Sequence, residues 1–293
     1  MTRSTSPVYV VADVHGHRAE LRAALRAAGL ADAAGDWSGG RARLWFLGDY
    51  VDRGPDGLGV IDDIRRLAAR AATVGGEVGA LLGNHELQLL GAHLFGSAPV
   101  PGWDHPGGLH GTWLLWGGRQ ADLDGLTAEH LAWLRALPAV ALVDDHLLLH
   151  SDTTRYLEFG RTVADANAAV ARTMAGTDIG EWFEAIRRVC DRNSFKGAGA
   201  DEAVDALLGA YGGRAIVHGH STLTGHFGVA RGQVTGPVTY AAGRVTAVDG
   251  GAYDGGRLLV VPLPVAGAAV PRQRDSVLHR LWTRRPRPER QRT

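Results

Sequence analysis

The sequence predicts an α/β layered domain built on a mixed sheet. Three observations predict it. Short apolar runs rich in Val, Leu and Ile recur along the chain, each bounded by turn residues, as in strands buried on both faces. Amphipathic helical patterns separate several of these runs. The 293 residues, 45% of them hydrophobic, suffice for a sizeable core in one large domain or two small ones.

The first strand is VYVVAD (8–13). HRAELRAALRAAGL (17–30) follows as a helix with Leu21, Ala24, Leu25 and Ala28 on one face, ending near Gly29. RLWFLGD (43–49) is the second strand, and GLGVIDDIRRLAARA (57–71) repeats the helical pattern with Val60, Ile61, Ile64 and Leu67. VGALLGN (78–84) is the third strand. The stretch 92–125 then breaks the alternation. It is dense in Gly, Pro, Trp and His and reads as a loop-rich insertion. Its Trp103, Trp113 and Trp116 predict an ordered lid. TAEHLAWLRALP (127–138) is a helix opened by Thr127 and stopped by Pro138. HLLLH (146–150), AIVHG (215–219), VTAVDG (245–250) and RLLVVPL (257–263) complete the strands, the last two as a closing hairpin. From about 265 the pattern ends, and Pro286, Pro288 and clustered Arg predict a flexible tail over 265–293.

Composition excludes several classes. No apolar stretch approaches the roughly 18–20 residues of a membrane span. The opening MTRSTSPVYVVADVHG runs from a short polar leader into a strand, without the apolar segment and cleavage site of a signal peptide. The single cysteine, Cys190, excludes an intrachain disulfide, suits a reducing cytoplasm and reads as a small buried hydrophobe. Of 31 basic residues one is lysine, Lys196. The formal net charge of zero is uneven: residues 279–293 carry six Arg and one Glu, leaving 25 basic against 30 acidic residues before them.

The strand ends carry the chemistry. Asp13 and His15 follow the first strand, Asp49 the second, and Asn84 and His85 the third. His150 ends HLLLH, and His218 and His220 end AIVHGH. The carboxyl edge is where open α/β sheets hold ligands. Carboxylate, amide and imidazole donors without thiolate suit hard-to-borderline divalent cations. His218 and His220 straddle Gly219, so either fits the last position.

These blocks, Asp13-x-His15, Gly48-Asp49-x-x-Asp52-Arg53-Gly54, Gly83-Asn84-His85-Glu86, His150 and Gly219-His220, resemble the calcineurin-type metallophosphoesterases. Asp-Arg-Gly and the Glu after Asn-His are similar to the phosphoprotein phosphatase group, which includes bacterial Ser/Thr phosphatases and symmetrical diadenosine tetraphosphatases. The resemblance covers about 8–264. It implies a four-layer α-β-β-α sandwich with two mixed sheets, a catalytic domain over 1–264 and a tail over 265–293.

It implies two divalent metal ions, with manganese favoured and iron, zinc or nickel alternatives. Asp49 would bridge them, Asp13 and His15 would complete one site, and Asn84, His150 and His220 the other. Asp52 would orient His85 to protonate the leaving oxygen, and Arg53 would grip the phosphate. The Gly-His-Thr of relatives, here Gly219-His220-Ser221, favours His220 over His218. Relatives continue Ala-Gly after His150 where this chain has Ser151-Asp152, so Asp152 is expected either to repel substrate or to bind it through water or metal. Arg155 and Arg192 are candidates for a second phosphate-binding arginine, and His110 for the cleft lining. The implied activity is cytoplasmic phosphoester hydrolysis by metal-activated water, on a phosphoprotein or a nucleotide, foremost as a Ser/Thr phosphatase. The alternatives are a dinucleoside polyphosphate hydrolase, a nucleic-acid phosphodiesterase using the basic tail, or a non-catalytic scaffold.

Overall fold

A computed structural model describes residues 6–265, so all but the first residue of the expected tail lies outside the described residues. In chain order the elements begin β1 (Val8–Val11), α1 (Arg18–Ala27), β2 (Arg43–Phe46), α2 (Gly57–Thr73) and β3 (Glu77–Ala80). Next come α3 (Asn84–Phe95), α4 (Gly108–Leu115), α5 (Gln120–Asp124), α6 (Ala128–Arg135), β4 (Val140–Val143) and β5 (His146–Leu149). Then follow α7 (Val163–Ala175), α8 (Ile179–Cys190), α9 (Ala200–Tyr211), β6 (Ala215–His218), α10 (Leu223–His226), β7 (Val238–Tyr240), β8 (Val245–Ala247) and β9 (Val261–Leu263).

Two mixed sheets form. The first runs β3-β2-β1-β9, with β1, β2 and β3 parallel and β9 antiparallel. The second runs β4-β5-β6-β8-β7, with β5, β6 and β8 parallel and β4 and β7 antiparallel. The period of two along each strand separates the layers. Val8, Val10, Val261 and Leu263 of the first sheet share a buried cluster with Ala141, Val143, Leu148 and Val217 of the second. The alternate residues, Val11, Leu44, Phe46, Leu147, Leu149 and Ile216, instead join the helix residues Leu21, Ile61, Ile64, Val170 and Val204. The result is helix, sheet, sheet, helix.

Several elements differ from the sequence reading. β4 and β7 are strands of four and three residues, too short for alternation to stand out. α3 is buried from Asn84 to Ala92, so it shows no polar face and no amphipathic stripe. The insertion at 92–125 is partly helical: α4 and α5 lie within it. Its apolar LHGTWLL carries little periodicity because Leu109 and Trp113 are buried while Leu114 and Leu115 stay exposed. Residues 245–263 form no hairpin. Both edges of β8 are taken by β6 and β7, and the chain crosses to the free edge of β1, where β9 pairs.

Candidate metal centre

The parallel strands of both sheets point their carboxyl ends to one edge of the sandwich. The loops leaving those ends carry unusual backbone. Of ten described non-glycine residues with positive φ, six are Asp13, His15, Asp49, Asp52, Arg53 and His220, at +44° to +68°. Left-handed backbone costs an ordinary residue about 1–2 kcal/mol, so local strain gathers where the candidate ligands stand. Packing there is equally tight. A Cβ on Gly48 (φ +102°) would sit 2.7 Å from the Gly83 backbone. A Cβ on Gly219 would overlap the Asp13 carboxylate.

Asp49 is at the middle. Its Oδ2 lies 3.6 Å from His15 Nε2 and its Oδ1 3.4 Å from His150 Nε2. The donor atoms of His15, Asp49 and His85 lie within 4.8 Å of one another, as do those of Asp49, His150 and His220. Asn84 Oδ1 is 2.8 Å from His150 Nε2, so amide and imidazole converge on one point. Asp13 Oδ2 accepts the His220 N–H at 2.8 Å, which ties the two sheets together. All six expected ligands are buried and gather at one edge of the sandwich.

The outer nitrogens of the imidazoles are spoken for. His15 Nδ1 is 3.0 Å from Val51 O, and His150 Nδ1 is 2.9 Å from Leu47 O. His220 Nε2 is 3.0 Å from Cys190 O, which leaves Nδ1. Main-chain carbonyls that orient the far nitrogen are the usual support of metal-binding histidine. His15 Nε2 is buried without a hydrogen-bond partner. Such an orphan costs about 1–3 kcal/mol, and a cation on that nitrogen would offset it. The donor set and this orphan fit a pair of divalent ions.

The electrostatics agree. Burial first, then neighbouring cationic groups, hold His15 and His220 well below the usual imidazole range, and burial lowers His150. That direction favours the neutral ring, the form that binds cations. Burial would raise Asp49, but the fields of His150, His85, His15 and His220 outweigh it and hold the carboxyl below its ordinary value. Asp13 is raised well above the carboxylate range by burial, then by Asp249 and Asp49. Crowded buried carboxylates of this kind call for positive charge.

Beside Asp49 stands the second half of the site. Asp52 Oδ2 is 2.7 Å from His85 Nδ1, and Arg53 Nη2 is 3.1 Å from His85 Nε2. That pair of contacts assigns the His85 proton to Nδ1, with Nε2 accepting from the guanidinium. Arg53 lies over the Tyr253 ring at 3.9 Å, and that ring meets His15 edge-on at 5.0 Å.

Other expectations sort differently. His218 uses both nitrogens, Nδ1 at 2.8 Å from Gly219 O and Nε2 at 2.8 Å from Tyr240 Oη, so it is no direct ligand. Asp152 is buried and its carboxylate is engaged within the protein: it accepts the Ser221 hydroxyl at 2.5 Å and the Asn193 N–H at 2.9 Å. Arg155 is held away by Glu158 at 2.9 Å and Glu184 at 2.6 Å. Arg192 stands in the site, its Nη2 2.7 Å from His220 Nε2 and its Nη1 2.7 Å from His226 Nε2. His110 packs within the lid, 3.1 Å from Gln120 Oε1 and 5.7 Å from the Trp113 ring. Cys190 is half-buried rather than the buried hydrophobe expected, and burial pushes its thiol up to about 12, away from the reactive thiolate.

Four residues have roles that the sequence reading did not assign, although it named Glu86 in a motif and Trp113 in the lid. Glu86 accepts N–H bonds from Asp49 at 2.8 Å, Tyr50 at 2.7 Å and Gly83 at 3.0 Å, and so shapes the Asp49 loop. A Glu three residues past the helix-capping Gly83 was the available signal. Trp113 donates to both Asp52 oxygens, at 3.0 and 2.8 Å, and Asp122 accepts the Asp52 N–H at 2.9 Å. Asp249 is buried with Oδ2 unpartnered, and burial raises it to about 7. None of these last three has a local sequence signal beyond its residue type.

A family model described as calcineurin-like phosphoesterase matches residues 6–222. Over 88 residues the chain is 35% identical to Shewanella-like protein phosphatase 2 of Arabidopsis thaliana, covering 29% of this chain and 22% of that protein. Over 144 residues it is 38% identical to a symmetrical bis(5'-nucleosyl)-tetraphosphatase of Methylococcus capsulatus, covering 49% and 42%. The chain thus spans less than half the length of these curated relatives. Among solved structures, a cold-active protein-tyrosine phosphatase of a psychrophilic Shewanella superposes with a TM-score of 0.67 at 22% identity, over 89% of this chain and 76% of that one. That likeness shows the fold, the two-sheet α/β sandwich.

Proposed function

The chain belongs to the calcineurin-like phosphoesterase family, and from that premise we propose that it hydrolyses phosphate monoesters on protein serine or threonine. The observation that carries the reading is Asp49 held between His15 and His150 at 3.6 and 3.4 Å, with the Asp52–His85–Arg53 group alongside. Asp13, His15 and Asp49 would hold one divalent ion, and Asn84, His150 and His220 the other, with Asp49 shared. We assign manganese, an ion suited to oxygen and imidazole donors without thiolate. The bound pair supplies Lewis acidity and a more acidic attacking water.

The chain's own groups do the rest. Arg53 turns its fork from His85 Nε2 to the phosphate oxygens, which a planar bidentate donor suits better than lysine. Arg192 serves as the second phosphate arginine, moving its Nη2 from His220. Asp52 keeps the His85 ring oriented through Nδ1–H. Nε2, freed of Arg53, takes up a proton from solvent to give the imidazolium and delivers that proton to the departing oxygen, which returns the ring to its Nδ1–H form. Serine and threonine alkoxides are poor leaving groups, and a positioned acid contributes about 10²–10⁴ in rate. With Cys190 inert, solvent is the nucleophile and no covalent phosphoenzyme forms. We take residues 1–264 as the catalytic domain and a reducing cytoplasm as its setting, a reading supported by the single cysteine.

A second reading has its own support, the 144-residue similarity to a tetraphosphatase. There the leaving group is itself a phosphate and needs no proton from His85. A panel of phosphopeptides and diadenosine tetraphosphate with Mn²⁺, run on wild type and His85→Asn, separates the two. We expect phosphopeptide turnover that falls roughly 10²–10⁴-fold in the variant. Faster hydrolysis of the dinucleotide, little changed in the variant, would establish the second reading. No turnover of either would overturn both.

A further inference from the structure

We propose that Trp113, on the lid helix, is a positioning residue for the leaving-group acid, holding the Asp52 carboxylate in the plane that orients His85. The inference rests on the reading of His85 as that acid. Trp113 is fully buried, and its indole N–H lies 3.0 and 2.8 Å from the two Asp52 oxygens. The carboxylate is itself fully buried, and the other side chain that reaches it is His85, through Nδ1 at 2.7 Å. One donor alone leaves a carboxylate free to rotate about its terminal torsion, which is broad and roughly two-fold. A second donor from another direction removes that freedom.

The rest of the lid grips the same two residues. Asp122 on α5 accepts the Asp52 N–H at 2.9 Å, and Gly117 O, two residues past α4, accepts the Arg53 N–H at 2.9 Å. Asp52 and Arg53 both have positive φ, +68° and +61°, a conformation that persists only where surroundings hold it. A Cβ on Gly118 would overlap the indole, so the chain closes directly over the ring. A buried aromatic needed only for volume has no use for an N–H. Here that N–H is spent on the carboxylate hydrogen-bonded to His85 Nδ1.

The test is Trp113→Phe, which removes the donor and keeps most of the ring. Loss of one hydrogen bond to a charged group is worth about tenfold to a hundredfold. The kcat for a phosphoserine peptide should fall by that factor. For 2,4-dinitrophenyl phosphate, whose leaving group needs no proton, kcat should stay within about twofold, and KM for both should barely move. His85→Asn should show the same leaving-group dependence more strongly, and the double variant should lose nothing beyond His85→Asn alone. Equal loss on both substrates, or full additivity, would reduce Trp113 to packing and overturn the proposal. Absence of leaving-group dependence in His85→Asn itself would overturn the acid reading, and this inference with it. If Trp113→Phe does not fold, the benzothiophene analogue at 113, equal in shape but without the N–H, gives the same comparison.

Discussion

Gly219→Ala measures how closely the two sheets meet at the centre. Gly219 follows β6 directly, between His218 and His220, and its φ is unremarkable, so an added methyl brings no backbone strain. The methyl would instead overlap Asp13 Oδ2 and lie 2.7 Å from the Ala12 Cβ. That oxygen accepts the His220 N–H at 2.8 Å, so relief of the clash breaks a hydrogen bond to a charged acceptor. Overpacking costs about 1–3 kcal/mol, and the broken bond about 1.5–3 kcal/mol. Together these come to roughly 2.5–6 kcal/mol, or about 5–24 °C in Tm for a domain of this size. Urea denaturation and calorimetry read the stability, and Mn²⁺ titration reads the ligand displacement. Two equivalents at full affinity should give way to weakened binding at the site of Asp13. Gly209→Ala is the control: Gly209 lies in α9 with open space around it, and alanine there should be neutral or stabilise by up to about 1 kcal/mol. If Gly219→Ala unfolds within about 1 kcal/mol of wild type and binds manganese unchanged, the close approach of β6 to Asp13 is refuted.

Two further outcomes are expected. Burial raises Asp63, but hydrogen bonds from Arg18 and Arg22, at 2.6 to 2.9 Å, outweigh it and bring the carboxyl from 3.8 down to about 2. A depressed acid stabilises above its unfolded value and loses that stability as pH falls through its folded one. The window is therefore about pH 4 down to 2, worth roughly 1–2 kcal/mol after screening at the half-exposed Arg22. Denaturation of Asp63→Asn should show that deficit at neutral pH and a closing gap in acid, whereas a constant gap would contradict the ion cluster. Cys190, with its thiol at about 12, should resist iodoacetamide at neutral pH, and Cys190→Ala should keep wild-type kcat in a phosphatase assay; rapid alkylation with loss of turnover would show an activated thiol.

The legibility of the site had a local cause. A metal ligand at the end of a buried strand is a polar residue at the end of an apolar run, and that contrast is visible within a few residues. Asp13, His15, Asp49, Asn84, His150 and His220 all carried it, and the structure draws all six into one place. Between His218 and His220 the contrast was equal. The family resemblance favoured His220, and the neighbours of each ring agree, because Tyr240 and Gly219 O consume both nitrogens of His218. Arg155 and Arg192 looked alike for the same reason, until Glu158 and Glu184 claimed one of them. Asp152, which stood next to a ligand, turned out to be a structural acceptor for Ser221 and Asn193.

The sequence by itself determined the layered α/β class, the candidate ligand types and the edge on which they stand, because hydrophobic period and strand-end polarity are properties of neighbouring residues. Tertiary structure alone decided that β9 returns to β1, that the lid is partly helical, and that Trp113 and Asp122 reach Asp52 from 61 and 70 residues away. Those contacts join residues that are ordinary where they stand. Their meaning comes from the partner, and only the folded chain brings the partner near.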